Sequence, residues 1–450
     1  MLLQKTKFNA CFQLKELATL FDLKLQREKT ELSFSLCTDS RSIKPEQIFL
    51  PLTGEKFDGH NFINQVLDSG VKYSFCEKDK LLKVKEKYKE KLVVVKNTLD
   101  AYHRIANYYR KKINPKVIAI TGSSGKTTTK DLISSVLSKK YKTHKTEANF
   151  NNEFGVPKTI LEMPEDTEML VLELAMRARG EIKYLSKTVE PDVAVITNIG
   201  AAHIGRLGSI QEIIKSKTEM LEHLKKNGVA FFHNDQNLLQ YSKTLWDGKT
   251  LAFDIKEASD ISFSDGKSFF TFEGDNYSVN AQGLIHILNS ILAIKIAKYF
   301  SLATTEIQKG LLNFKVPSGR GNVIKMKKDN VFLIDESYNA NPDSVKAAVT
   351  NLISSWGNDY KKILILGELA ELGEHENKLI GELNSWLKEK PLAAVITIGE
   401  KLKQITSCTN VKNTSECCDI LSKLMLDKAV VLIKGSHVAK LDKLVEILTK

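Results

Sequence analysis

The chain lacks any uninterrupted apolar run approaching the roughly 20 residues a membrane-crossing helix needs, so no integral membrane association is expected. Its opening stretch, MLLQKTKFNACFQLKEL, has no long apolar segment followed by a small-residue cleavage site, so no export signal is read there and a cytoplasmic protein is expected. Cysteine is sparse. The six residues Cys11, Cys37, Cys76, Cys408, Cys417 and Cys418 are scattered as free thiols in a reducing compartment would be, and the adjacent Cys417-Cys418 is not a metal spacing. No zinc knuckle and no interleaving of aromatic with basic residues is present. The excess of 66 basic over 54 acidic residues, +12, therefore does not point to nucleic acid. Lysines carry that excess, spread through expected helices such as Lys80 to Lys91, where both signs mix as on a solvated face. The net charge still suits a polyanionic substrate such as a nucleotide sugar. Internal repeats and low-complexity tracts are absent.

What is present begins with size. A chain of 450 residues implies two to four domains, and 42% hydrophobic with 27% charged residues describes a soluble globular protein. Its organising stretch is KVIAITGSSGKTTTKD, Lys116 to Asp131. Val117-Ile118-Ala119-Ile120 reads as a short buried strand. It breaks at Thr121-Gly122-Ser123-Ser124-Gly125 and resumes as a helix from Lys126. Strand, glycine loop and helix start form the geometry that holds phosphate. Glycines let the backbone approach the anion, and the free N–H groups of the first helical turn point at it. Lys126 reaches the outer phosphates, and the Thr127 hydroxyl is placed to ligate Mg²⁺. The usual motif has a glycine five residues before Gly125; here that residue is Ile120, which makes the loop a shortened variant. By itself GxxGKTT suits several nucleotide-binding families.

Around this stretch the pattern divides into three units, residues 1–112, 113–315 and 316–450. The first has a short strand at Ile48 to Leu52, a turn-rich loop at Thr53 to Gly59 and a helix from His60. Asp39-Ser40-Arg41 lies in a loop between strands, where an arginine forks onto a diphosphate or pairs only with its neighbour. Helical periodicity runs from Asn97 to Lys112. In the second unit, buried strands at Met169 to Leu174, Asp192 to Thr197, Val229 to Phe232 and Thr250 to Phe253 alternate with helices. Such alternation makes a mostly parallel sheet, whose ligands sit beyond the carboxyl ends of the strands. Glu173, Asn198 and His203 fall at such ends, and Lys217 lies on the next helix. A lysine alone on a helix is normally solvated; the position after the phosphate loop is what draws attention to it. Gly283 to Phe300 is an apolar helix with His286 and Asn289 on one side, suited to a base or to a satisfied core histidine. The third unit repeats the α/β layout, with strands at Val331 to Ile334, Ile363 to Leu366, Ala394 to Ile398 and Val430 to Ile433. Its helices are expected at Asp343 to Ser355, Asn377 to Lys388 and Val438 to Leu448. The first strand runs into DESYNANPDS, a turn-forming loop dense in amide donors and acceptors.

Taken together these residues resemble the Mur ligase family over nearly the whole chain. The carriers are Asp39-Ser40-Arg41 with TGEKFDGH, ITGSSGKTTTK, NFNNEFGVP from Asn149, ELAMRARGEI from Glu173, TNIGAAH ending at His203, SYNANP from Ser337, GELAELGE from Gly367 and KGS from Lys434. The resemblance implies a UDP-sugar-binding domain, a central P-loop ATPase and a C-terminal Rossmann-like domain that binds the incoming amine. It implies ATP-dependent joining of D-alanyl-D-alanine to UDP-N-acetylmuramoyl-tripeptide through an acyl phosphate. Residue by residue, it implies that Gly122, Ser123, Ser124, Gly125, Lys126, Thr127 and Thr128 cradle ATP. Thr127 and Glu173 would ligate one Mg²⁺ and His203 a second. Lys217 matches a position that several members carbamylate. Arg320, Asp335 and Asn289 would contact the nucleotide. Asn151, Asn152, Tyr338, Asn339 and Asn341 would serve the peptide substrates, and Asp39, Ser40 and Arg41 the uridine-diphosphate end. A monomer without nucleic acid is implied, with the C-terminal domain swinging onto the nucleotide. The chain departs from the family pattern at Ile285-His286, where His-Asn is frequent, at His437, where Arg follows KGS, and at Glu46, where Gly follows Pro. The rivals are a sister ligase, or a folylpolyglutamate-type ligase, adding one amino acid, and a nucleotide-binding module without ligase chemistry.

Overall fold

The computed structural model describes residues 8–22, 32–328, 330–406, 408–425 and 427–449. The expectation of no export segment rests partly on residues 1–7, which lie outside them. The chain divides into two compact units. One holds the residues up to Ala119 with Lys142–Leu174 and Lys183–Asp192; the other holds Ile120–Tyr141, Ala175–Ile182 and the chain from Val193 onward.

In the first unit the elements run β1 (Cys11–Gln13), α1 (Leu14–Phe21), β2 (Ser33–Cys37), β3 (Gln47–Phe49), the short hairpin β4 (Thr53–Gly54) and β5 (Phe57–Asp58), α2 (Ile63–Asp68), β6 (Tyr73–Glu77), β7 (Leu92–Val95) and α3 (Thr98–Ile113). The sheet order is β1-β2-β3-β6-β7, parallel except for the antiparallel edge strand β1. Phe49, Ile63, Val66, Leu67 and Cys76 fill the space between sheet and helix. Helix α3 begins where the Asn97 side chain accepts from Asp100 N. It buries Ala101, Tyr102, Ile105, Ala106 and Tyr109, one face of a 3.6-residue period. The charged run Lys80 to Lys91 is not a regular helix. It forms two 3₁₀ segments, Lys78–Lys83 and Glu86–Lys91, because Val84 between them is extended and it and Tyr88 are drawn into the core.

The central elements follow: β8 (Lys116–Thr121), α4 (Lys126–Leu137), β9 (Thr143–Lys145), α5 (Gly155–Leu161), β10 (Met169–Glu173), α6 (Glu181–Val189), β11 (Val193–Ile196), α7 (Ile204–Leu207), α8 (Ile210–Thr218), β12 (Val229–His233), α9 (Gln236–Ser242) and β13 (Lys249–Phe253). They form a six-stranded sheet of order β13-β12-β11-β8-β10-β9. The pairs β9·β10, β11·β12 and β12·β13 are parallel. Val117 to Ile120 are wholly buried, which is why this strand is a continuous apolar run with no alternation. An antiparallel meander that the periodicity did not disclose comes next, β14 (Ser259–Ser264), β15 (Lys267–Phe272) and β16 (Asp275–Val279). Helices α10 (Leu284–Tyr299) and α11 (Thr304–Leu312) then pack against α4.

The C-terminal elements are β17 (Asn322–Lys325), β18 (Val331–Glu336), α12 (Pro342–Ser355), β19 (Lys361–Gly367), α13 (Glu376–Lys388), β20 (Ala394–Ile398), β21 (Thr409–Val411), α14 (Thr414–Leu424), β22 (Ala429–Lys434) and α15 (Asp442–Thr449). The order is β17-β18-β22-β19-β20-β21, with only β17 antiparallel. Alternate residues feed two cores. Ile334, Leu364, Leu366 and Leu432 face one side, and Leu333, Ile363, Ile365 and Val431 the other. The helix expected from Val438 starts later, at Asp442, because a 3₁₀ turn His437–Ala439 ends on Lys440 in a left-handed conformation.

Candidate active site

The phosphate loop joins β8 to α4. Gly122 has φ +152°, and a Cβ there would lie 1.9 Å from Thr197 Oγ1; Gly125, at φ +76°, caps α4. Both positions therefore require glycine. The loop is held from behind by the residues after β11. Thr197 Oγ1 lies 2.6 Å from Ser124 O and 3.3 Å from Thr121 O. Ser123 N donates to Asn198 O, Ser124 N to Asn198 Oδ1 at 2.8 Å, and Asn198 Nδ2 to Ser124 Oγ at 2.6 Å. Ser123 Oγ bridges to both the N–H and the carbonyl of Gly200. The Thr197–Gly200 loop is thus a scaffold whose role the sequence reading did not assign, though TNIG was visible as a motif. Lys126 Nζ donates to Gly122 O at 2.8 Å, folded across the loop it would serve. Thr127 and Thr128 are buried in the first turn of α4, and Thr129 Oγ1 donates to Asn289 Oδ1 at 3.3 Å. Among the described residues, Asn289 Nδ2 and His286 Nδ1 have no hydrogen-bond partner although both are buried in a mostly apolar helix, and burial pushes His286 down to about 4.

Lys217, on α8, is buried to 1% exposure rather than solvated. Loss of water, and then the neighbouring charge of Lys126, push its amine well below the usual lysine range. Lys217 thus lies, with its amine held below the usual lysine range, in the unit that holds the phosphate loop.

Glu173 closes β10 and is also buried. Its Oε1 accepts from Asn151 Nδ2 at 2.8 Å, and its backbone N–H donates to Thr146 Oγ1. The asparagine-rich loop that presents Asn151 is pinned in two ways. Asn152 Oδ1 accepts from Phe154 N and Gly155 N, and His103 Nε2 donates to Glu153 O at 2.8 Å. The other imidazole nitrogen of His103 accepts from Thr188 Oγ1 at 2.6 Å, and burial pushes this histidine down to about 4. Asp39 and Arg41 pair locally: Arg41 Nε and a terminal nitrogen reach the two Asp39 oxygens at 2.8 and 2.7 Å, which holds the Asp39 carboxyl below its usual range. Ser40 lies in the turn between them, and the Arg41 side chain stays 65% exposed.

In the C-terminal sheet Asp335 is buried, with Oδ2 accepting from Gly319 N and Oδ1 from Ser337 N and Oγ. The Arg320 guanidinium lies 4.1 Å over the Tyr338 ring. Asn339 lends its carbonyl to Lys434 Nζ, which also binds Glu336 Oε2 at 2.7 Å. Asn341 is the N-cap of α12, its Oδ1 accepting from Ser344 N at 2.9 Å, so one end of this amide is committed to the helix. Two further contacts tie this sheet's loops to the residues after β11. Ala201 N donates to Asp343 Oδ2 at 2.7 Å, and His203 Nδ1 lies 2.6 Å from Glu371 Oε2, which holds the Glu371 carboxyl below its usual range. Neither acid was singled out from sequence; Glu371 lay inside the quoted GELAELGE without a role.

The donor set suits a divalent cation held partly by phosphate. Among the described residues no three His, Cys, Asp or Glu side chains gather as a cage. Mg²⁺ at nucleotides is bound through one or two protein oxygens plus phosphates, and the Thr127 hydroxyl and the Glu173 carboxylate, each taken by itself, are groups of that kind.

A shortened phosphate loop at the end of a buried parallel strand, scaffolded by the next strand's loop, defines a nucleotide-binding α/β protein. Comparison with known proteins is specific. Residues 35–110 match the Mur ligase family catalytic domain, 120–297 the Mur ligase middle domain and 319–437 the Mur ligase glutamate ligase domain. The chain is 35% identical over 438 residues to the UDP-N-acetylmuramoyl-tripeptide–D-alanyl-D-alanine ligase of Bacillus subtilis strain 168, covering 94% of each. It is 30% identical to the protein of that name from Haemophilus influenzae, covering 96% of each. Among solved structures it resembles MurF from Acinetobacter baumannii, with TM-score 0.85, 29% identity, and 98% of this chain and 99% of that one covered. It also resembles the MurF ligase of Thermotoga maritima in complex with ADP, with TM-score 0.83, 26% identity, and 92% and 96% covered. The chain belongs to the Mur ligase family, and its three matched segments are the three domains of that α/β fold.

Proposed function

We propose that this protein is an ATP-dependent carboxylate–amine ligase that adds D-alanyl-D-alanine to UDP-N-acetylmuramoyl-tripeptide, completing the pentapeptide precursor of peptidoglycan. The observation that carries the reading is the intact phosphate cradle, in a chain similar end to end to proteins named for that activity. A carboxylate does not accept an amine at neutral pH until it carries a good leaving group. The tripeptide's terminal carboxylate oxygen attacks the γ-phosphorus of ATP, the bond to the β-phosphate oxygen breaks, and ADP leaves. The amine of the dipeptide then attacks the acyl carbon and phosphate departs, leaving an amide and a proton. Both steps gather negative charge, which preorganised cations and N–H donors stabilise.

In this reading the N–H groups of Gly122 to Thr128 cradle the phosphates, and Lys126 leaves the Gly122 carbonyl to bridge to the γ-phosphate. Thr127 and Glu173 would hold a Mg²⁺ ion and His203 a second, and the metal would supply charge neutralisation at the phosphates. Lys217, its amine held below the usual lysine range by its dry site, is suited to take up CO₂ as a carbamate with release of a proton and so present an anion. Asn289 and His286 offer unpartnered polar atoms for the base, and Arg320 and Asp335 approach the nucleotide from the C-terminal side. Arg41 would exchange part of its pairing with Asp39 for the diphosphate of the UDP-sugar, with Ser40 beside it, while Asn151 and Asn152 line the peptide arm. Tyr338, Asn339 and Asn341 serve the dipeptide. The domains are taken as residues 1–112 for the UDP-sugar, 113–315 for ATP and 316–450 for the dipeptide. The protein is taken to act as a monomer in the cytoplasm.

Phosphate release with UDP-N-acetylmuramoyl-tripeptide, D-alanyl-D-alanine, ATP and Mg²⁺, each omitted in turn, tests the reading. Release that requires all four is expected. Turnover with a single amino acid in place of the dipeptide would overturn the assignment of the acceptor, and ATP-dependent release indifferent to both acceptor and acid would overturn the ligase itself.

A further inference from the structure

The loop after β11 and the loop after β19 meet at two residues in an uncommon backbone conformation. His203 has φ +65° and Glu371 φ +63°, the left-handed region that glycine tolerates and branched or bulky residues avoid. Such conformations persist where the surroundings hold them and the side chain has a task. Here the side chains face each other, with Glu371 Oε2 at 2.6 Å from His203 Nδ1, an ion-pair distance at which the ring N–H is not yet aligned on the carboxylate as a hydrogen bond. The main chains are locked as well. Gly205 N donates to Glu371 O at 3.1 Å. A Cβ on Gly205 would lie 2.6 Å from Gly373 N, and one on Gly373 would lie 2.7 Å from Gly205 Cα, so the approach depends on two glycines. Arg206 Nε, 3.8 Å from Glu371 Oε1, brings a guanidinium to the same carboxylate.

We propose that Glu371 is a positioning residue for His203, accepting the Nδ1 proton so that the imidazole presents its Nε2 lone pair to a divalent cation. This rests on the assignment of His203 to the metal in the reading above. A carboxylate behind a ligating imidazole fixes the tautomer and ring orientation and makes the other nitrogen a stronger donor. Without it, Nδ1–H and Nε2–H tautomers interconvert and the ring turns about its bonds. Glu371 comes from the C-terminal sheet, whereas His203 follows a strand of the ATPase sheet. Metal affinity at the nucleotide and seating of the C-terminal loop are therefore linked: each strengthens the other by the same factor.

The test is the affinity of the full chain, in the presence of ADP, for Mn²⁺ followed by electron paramagnetic resonance. Glu371→Gln and His203→Ala would be studied singly and together, with metal-free ADP affinity and melting temperature alongside. We expect Glu371→Gln to weaken Mn²⁺ binding by about tenfold or more, leave metal-free ADP binding unchanged, and add nothing in the His203→Ala background. Glu371→Asp, which keeps the carboxylate charge, should recover part of the affinity and serves if the glutamine variant folds poorly. Unchanged Mn²⁺ affinity in both Glu371 variants, or an equal loss from Glu371→Gln with and without His203, overturns the proposal. His203→Ala leaving Mn²⁺ affinity intact overturns it too, and also removes His203 from the metal, which separates that failure from a fault in the positioning alone.

Discussion

Thr197 Oγ1 donates at 2.6 Å to the carbonyl of Ser124 in the middle of the phosphate loop, and the same hydroxyl occupies the space a side chain on Gly122 would need. Gly122→Ala should therefore expel this hydroxyl or distort the loop. We expect ADP affinity to fall at least about tenfold and the melting temperature to drop by several degrees, roughly 2–4 °C per kcal/mol in domains of this size. Calorimetric titration and thermal unfolding measure both. Retained affinity would show that the cradle tolerates a Cβ.

Lys217 is buried beside the charge of Lys126, so its amine titrates well below the usual lysine range. In buffer stripped of CO₂, the unfolded chain binds a proton here that the native chain does not, over the interval between the depressed and the ordinary value. Stability should then rise with pH across that interval, and Lys217→Met should flatten the rise. The same substitution should lower turnover by about a hundredfold or more, while added bicarbonate should raise turnover of the parent protein alone. Denaturant unfolding as a function of pH and phosphate release with and without bicarbonate check the two halves.

Asp335 accepts three hydrogen bonds, from Gly319 N, Ser337 N and Ser337 Oγ. Asp335→Ala leaves buried donors without partners, at about 1–3 kcal/mol each before relaxation. A loss of roughly 2–4 kcal/mol is expected in urea unfolding. Asp335→Asn keeps an acceptor and should lose less.

Asn341 caps α12 through Ser344 N. Asn341→Ala should cost about 1 kcal/mol, whereas Asn341→Ser keeps a capping oxygen and should be near neutral. If the amide also meets the dipeptide, the serine variant should retain stability and still raise the KM for D-alanyl-D-alanine severalfold. A KM that follows stability alone in both variants would leave Asn341 a cap only.

Strands buried on both faces were legible because their whole length is apolar. Val117 to Ile120 and Leu170 to Leu172 need no partner's help to be recognised. The cap of α12 was written locally as Asn341-Pro342-Asp343-Ser344, where an asparagine precedes a proline that opens the helix. The meander β14–β16 was missed because the outer strand carries exposed Ser259, Asp260, Ser262 and Ser264, with only the half-buried Ile261 and Phe263 between them and no apolar run. Lys217 looked like a surface lysine because nothing beside it in sequence says that it is covered; its burial arises from packing around the whole turn of α8. The pairing of His203 with Glu371 joins the loops after β11 and β19, which lie far apart in sequence, so no periodicity links them. The local Asp39–Arg41 pair, by contrast, was one of two alternatives visible in three consecutive residues.

His103 stands under the loop that presents Asn151 to Glu173, and its ring stays neutral until about pH 4. A denatured chain would protonate the same residue near pH 6.5. Between those values acid favours the denatured form without altering any charge at this spot in the native one. Mild acidification therefore lowers the native chain's stability through a ring that lies under the loop reaching Glu173 and that itself carries no charge over that interval.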